Sequence, residues 1–171
     1  MAGLSTEVLR AGEELDRRHR AASLIVIGGA ALTLVLMGAV MSGAVAGTLS
    51  PNPTVTGSLL IVVVFLGVGA VVLRRTRMNP MRLSDIAGLR GPSGLLRSLE
   101  KTTLYVALIG YAVALFGFVG SMLTPQPADS RSLMLRLGVI ALAVLLYAYP
   151  RRSVWHRLVE STREPGGEAG A

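Results

Sequence analysis

The chain has 171 residues, 51% of them hydrophobic, with a mean hydropathy of +0.58 and no cysteine. Lys and Arg number 17 against 10 Asp and Glu, a formal net charge of +7, yet only 16% of residues are charged where a soluble domain carries about a quarter. Residues 21–73 contain no Asp, Glu, Lys, Arg or His at all. That run excludes a soluble globular protein, a disordered chain and a secreted disulfide scaffold, and leaves a small all-α integral membrane protein.

Composition narrows the chemistry as well. Without cysteine there is no thiolate nucleophile, no disulfide and no thiolate metal site. The two histidines, His19 and His156, are too far apart in sequence for a recognisable metal motif, so neither metal nor cofactor is expected. A pI near 11.0, with basic groups flanking apolar runs, is read as contact with anionic lipid headgroups rather than with nucleic acid. Lys101 stands alone beside 16 arginines, which in an Ala-, Gly- and Val-rich chain points to a high-GC bacterial gene.

Residues 1–20 form an expected N-terminal helix, a cytoplasmic extension of the first span. Glu13–Arg17, Glu14–Arg18 and Asp16–Arg20 are i,i+4 pairs in the favoured order, each contributing about 0.2–0.5 kcal/mol. Leu4, Val8 and Leu15 give this helix a thin apolar stripe for lipid or a partner.

A bilayer core about 30 Å thick takes roughly 20 apolar residues as a helix. Residues 21–47 supply the first span and 55–73 the second, together the first transmembrane hairpin, 21–73. Arg17-Arg18-His19-Arg20 ahead of an apolar run and Ala44-Val45-Ala46 imitates a signal peptide. The run exceeds the usual leader core of about 7–15 residues, so the span is expected to be retained.

Residues 74–101 read as a basic cytoplasmic loop broken by Pro80 and Pro92, with a short interfacial helix over 81–90. Ser93 is the expected N-cap of the segment leading into the third span. Residues 102–123 and 133–149 supply the third and fourth spans, the second hairpin, 102–149. Arg136, near the start of the fourth, is expected to snorkel to the headgroups. Residues 150–171 form a cytoplasmic tail whose Gly-rich end is expected to be disordered.

Arginine placement sets the orientation. Fifteen basic residues precede the first span, fill the central segment (Arg74, Arg75 and Arg77 among them) or follow the last span, as do Arg151 and Arg152; only Arg131 and Arg136 lie on the other side. The positive-inside rule then places both termini in the cytoplasm of a bacterial cell, with the spans in its inner membrane. Tyr147, Tyr149 and Trp155 fit an interfacial aromatic belt at the inner end of the fourth span.

Leu49-Ser50-Pro51-Asn52-Pro53 recurs 74 residues later as Leu123-Thr124-Pro125-Gln126-Pro127, and Ser58-Leu59 recurs at the same offset as Ser132-Leu133. Each copy separates two spans, which suggests two tandem helical hairpins related by an axis along the membrane normal. Along the third span Ala107, Gly110, Ala114, Gly117 and Ser121 recur at alternating steps of 3 and 4, laying a small-residue stripe on one helical face. Ala39, Gly43 and Gly47 of the first span are its expected partner, the alternative being another protein.

Gly91-Pro92-Ser93-Gly94 resembles the Gly-x-Ser-Gly string around the nucleophile of intramembrane rhomboid proteases, over those four residues and no further. No base stands inside a span to activate the serine. His19 and His156 both fall at the inner boundary, where a haem-binding pair would require their two spans to touch around a pocket. The chain has the span count of dimeric four-helix multidrug exporters, but those depend on a glutamate in the first span, and here that span is uncharged.

The function expected is therefore that of a non-catalytic, small multi-pass subunit or scaffold of a larger bacterial membrane complex, with lipid and other membrane subunits as partners. The alternative is a channel, holin-like or transport component without a buried coupling charge. An integral membrane enzyme comes last, for want of an intramembrane acid–base or nucleophile pair.

Overall fold

A computed structural model describes residues 2–45, 53–124 and 126–155. Among them every regular element is helical: α1 (Ala2–Met41), α2 (Pro53–Arg77), α3 (Pro80–Met122) and α4 (Pro127–Ala148). Each contains a stretch long and apolar enough to cross a membrane: Gly12–Met41, Gly57–Arg77, Ser93–Met122 and Ala128–Trp155. Pro53 and Pro127 each stand first in their helix, where the missing N–H costs nothing and the fixed φ suits the first turn.

Helix boundaries depart from the hydropathy pattern in three places, each for a local reason. The first helix ends at Met41 rather than near 47, because Gly43 turns left-handed (φ 77°) and donates its N–H to Val40 O at 3.2 Å. Gly43 therefore lies beyond the helix, and Gly47 falls outside the described residues. Most of 74–101 is helix rather than loop: α2 runs on to Arg77, and α3 starts at Pro80 behind an Asn79 cap whose Oδ1 accepts from Met81 N–H. The only break inside α3 is Gly91 (φ 65°, ψ −174°), a conformation that an L side chain adopts at a cost. Gly91 thus occupies the cap position of the second segment, and Ser93, expected there, is an exposed residue within the helix.

α3 is the hub. It packs most extensively on α4 and also on α1 and α2, and α1 lies against α4 as well, whereas α1 and α2 barely touch. Lipid gives helices no hydrophobic reason to associate, so close contact and hydrogen bonds hold the bundle. One buried cluster joins Val63 of α2 to Val113 and Ala114 of α3 and Leu137 and Ala141 of α4. A second joins Val26 of α1, Ala70 of α2, Ala107 of α3 and Leu145 of α4. A third, at the arginine-rich end, unites Leu15, Ala22, Leu83, Leu95, Leu96, Leu99 and Trp155.

Candidate functional site at the arginine-rich end

The third cluster sits under a layer of paired charges. Arg18 donates to Glu14 one turn earlier at 2.8 Å and to Glu100 on α3 at 2.6 Å, so it ties α1 to α3. Asp16 pairs with Arg152, beyond α4, at 2.8 Å rather than with Arg20 on its own helix. The N-terminal extension, expected to lie on lipid or on a partner, is docked on its own chain from Glu14 to Ala22. His19 Nε2 lies 2.9 Å from Pro150 O, and its ring meets Trp155 edge-to-face at 5.6 Å between centroids. The short segment after α4 is thereby folded back, and Trp155 is buried rather than part of an aromatic belt. His156 falls outside the described residues. Among those residues no group of three or more His, Cys, Asp or Glu is placed to hold a metal.

The last turn of α2 carries two arginine–tyrosine contacts. Arg74 stacks on the Tyr147 ring of α4 at 4.4 Å, and Arg77 lies over the Tyr105 ring of α3 at 5.9 Å. Arg74 and Arg77 are three residues apart, so they share one helical face and pin α2 to two different helices. Arg75 points to neither and is exposed. Beside this contact Arg74, Arg75, Met78, Asn79 and Tyr147 line a cavity of about 420 Å³.

The small residues of α3 face α4 rather than the end of α1. A methyl group on Gly110 would lie 2.8 Å from Leu145 Cγ, and one on Gly117 would lie 3.0 Å from Leu137 Cβ. Ala107 and Ala114 are fully buried on the same side, and Ser121 O accepts from Ser130 Oγ at the start of α4. Ala39 is half-buried on α1, and the position of a Gly43 side chain would meet Arg131, not α3. In mid-helix α1 meets the hub at Gly29, packed under Tyr111, whose hydroxyl donates to Ile25 O. Gly29 and Tyr111 carry no sequence signal beyond a lone tyrosine midway along an apolar run. Arg136, Arg151 and Arg152 are exposed, and Arg136 has no ion-pair partner among the described residues.

Compared with protein-family models, with curated proteins and with solved structures, the chain matches none.

Proposed function

We propose that the protein is a non-catalytic packing subunit of a larger membrane assembly in the bacterial cytoplasmic membrane, with both termini and the arginine-rich end inside the cell. The observation that carries this reading is the exposure of α2. In its most apolar stretch 11% is buried within the chain, against 44% for α3 and α4. Ile61, Phe65, Val68 and Val72 form an outward stripe on it. Apolar exposure is satisfied by lipid, but small residues within it gain packing only against another helix. Gly69 on α2, with Ala31 and Gly38 on the outer side of α1, supply such positions. The basic asymmetry supports the orientation, with Arg74, Arg75, Arg77, Arg151 and Arg152 at the level of the inner headgroups and Arg136 reaching for the outer ones. Pro53 and Pro127, 74 residues apart, each open the second helix of a hairpin and support tandem duplication.

Purification of the tagged full chain in mild detergent tests the role. Larger membrane polypeptides should accompany it and be lost with Gly69→Leu; a lone homo-oligomer that conducts ions in planar bilayers would instead make it a pore. Reporter fusions after Asn52 and Gln126 should read periplasmic and one at Pro92 cytoplasmic. A cytoplasmic signal at Asn52 would overturn the orientation.

A further inference from the structure

The cavity between the end of α2 and Tyr147 concentrates positive charge without an internal counter-ion. Arg74 is half-buried there and Arg75 is exposed at its edge. Among the described residues neither has a carboxylate within ion-pair distance, while Glu14, Asp16 and Glu100 are taken by Arg18 and Arg152. A half-desolvated cation beside a second of its own sign is unfavourable unless an anion joins them.

The donors present suit one kind of anion. The guanidinium carbon of Arg74 lies 4.4 Å over the Tyr147 ring, a cation–π contact that spends none of its N–H groups and leaves its planar fork to match two oxygens of a tetrahedral oxyanion. Arg75 adds a second fork. The Asn79 carboxamide accepts through Oδ1 from Met81 N–H, which leaves its NH2 group to donate. Met78 and the Tyr147 ring supply an apolar wall. Next along the chain toward the membrane, Val71 and Val72 on α2 and Leu146 on α4 are exposed, a surface on which an acyl chain can lie.

We propose that this cavity is a phosphate-binding site, with Arg74 and Arg75 as charged donors and Asn79 as the neutral one. The phosphate arrives either on a phospholipid headgroup, its acyl chains along the outer sides of α2 and α4, or as a free ion. The site requires only that the bundle sit in a bilayer and is independent of the subunit role.

The test uses the full chain, delipidated in neutral detergent. Native mass spectrometry follows binding of phosphatidylglycerol and of diacylglycerol, which lacks the phosphate. In a second arm inorganic phosphate is added at constant ionic strength and the melting temperature is recorded. Arg75→Gln removes an exposed side chain that holds no other element in place, and Arg97→Gln, exposed on α3, makes the same charge change elsewhere. Loss of one charge-assisted fork should weaken phosphatidylglycerol binding about tenfold in Arg75→Gln, and Arg97→Gln should leave it unchanged. Arg74→Lys keeps the charge but loses the fork, and should also weaken binding. Protection by inorganic phosphate that Arg75→Gln abolishes, with no preference for phosphatidylglycerol over diacylglycerol, would assign the site to a free ion. The proposal fails if Arg75→Gln leaves both arms unchanged, or alters them no more than Arg97→Gln does.

Discussion

Between α3 and α4 the backbones come so close that a methyl group on Gly110 would sit 2.8 Å from Leu145, whereas at Gly67 or Gly69 of α2 it would meet nothing within 4 Å. The first hairpin and the second thus use the same residue type to different ends. In the second, glycine closes a seam inside the chain, and α3 and α4 form the most extensive contact in the bundle. In the first, α1 and α2 barely touch each other and lean separately on the second pair, leaving Gly38, Gly69 and much of their apolar surface outward. The two hairpins therefore make an inner pair and an outer pair. The small-residue pattern alone does not say which side of a helix will be covered by its own chain.

The largest effect should come from filling the inner seam. Gly110→Leu forces a branched side chain into Leu145 and should lower stability by about 2–3 kcal/mol, read from the midpoint of SDS-induced loss of helicity. Gly69→Leu should leave that midpoint unchanged; an equal loss there would erase the distinction between the pairs. Next comes the junction of α1 with the hub. A Gly29→Ala methyl would lie 2.7 Å from the Tyr111 ring, which its hydroxyl holds in place, and the expected cost is about 1–2 kcal/mol. Gly138→Ala points at the thioether of Met37, a flexible side chain that can move aside, so the same unfolding experiment should show a smaller loss.

Charge pairs should rank below packing. Glu100→Gln removes one partner of Arg18 and should cost about 1 kcal/mol, with a double-mutant cycle against Arg18→Gln reporting the coupling. The more exposed pair should matter least: Arg152→Gln is expected to change stability by less than about 0.5 kcal/mol, an effect that high salt should erase. Should Arg152→Gln outweigh Glu100→Gln in the same assay, the polar layer rather than the buried leucines would be what closes this end.

Four helices long and apolar enough to cross a membrane were legible because a run of some 20 uncharged apolar residues has few other physical solutions. The helix over 81–90 was legible from its two flanking prolines, and the Glu14–Arg18 pair from i,i+4 spacing alone. What escaped depended on neighbours distant in sequence. Helix spacing placed Ala107 to Ser121 on one face, but whether α1 or α4 lies opposite is decided by how four helices fill space together. Asp16 had a suitable partner four residues away and took Arg152 instead, 136 residues on. Segment 74–101 looked like a loop because proline and charge punctuate loops; here Pro80 opens a helix, and the arginines of α2 stand in its last turn, where they offset the helix dipole. The cavity beside Arg74 had no local signature, since Tyr147 enters it from another helix.

Trp155 gives the arginine-rich end a direction in time. It is 1% exposed in a socket whose other residues lie between Leu15 and Leu99. The ribosome delivers those residues early and Trp155 late, after α4 has been made. Through most of synthesis the leucines of the socket have no tryptophan to cover them, and His19 has no Pro150 carbonyl to meet. Synthesis of the segment after α4, rather than of any one long helix, is the event that shuts this core. A nascent chain stalled after α3 therefore presents leucines that Trp155 has not yet covered.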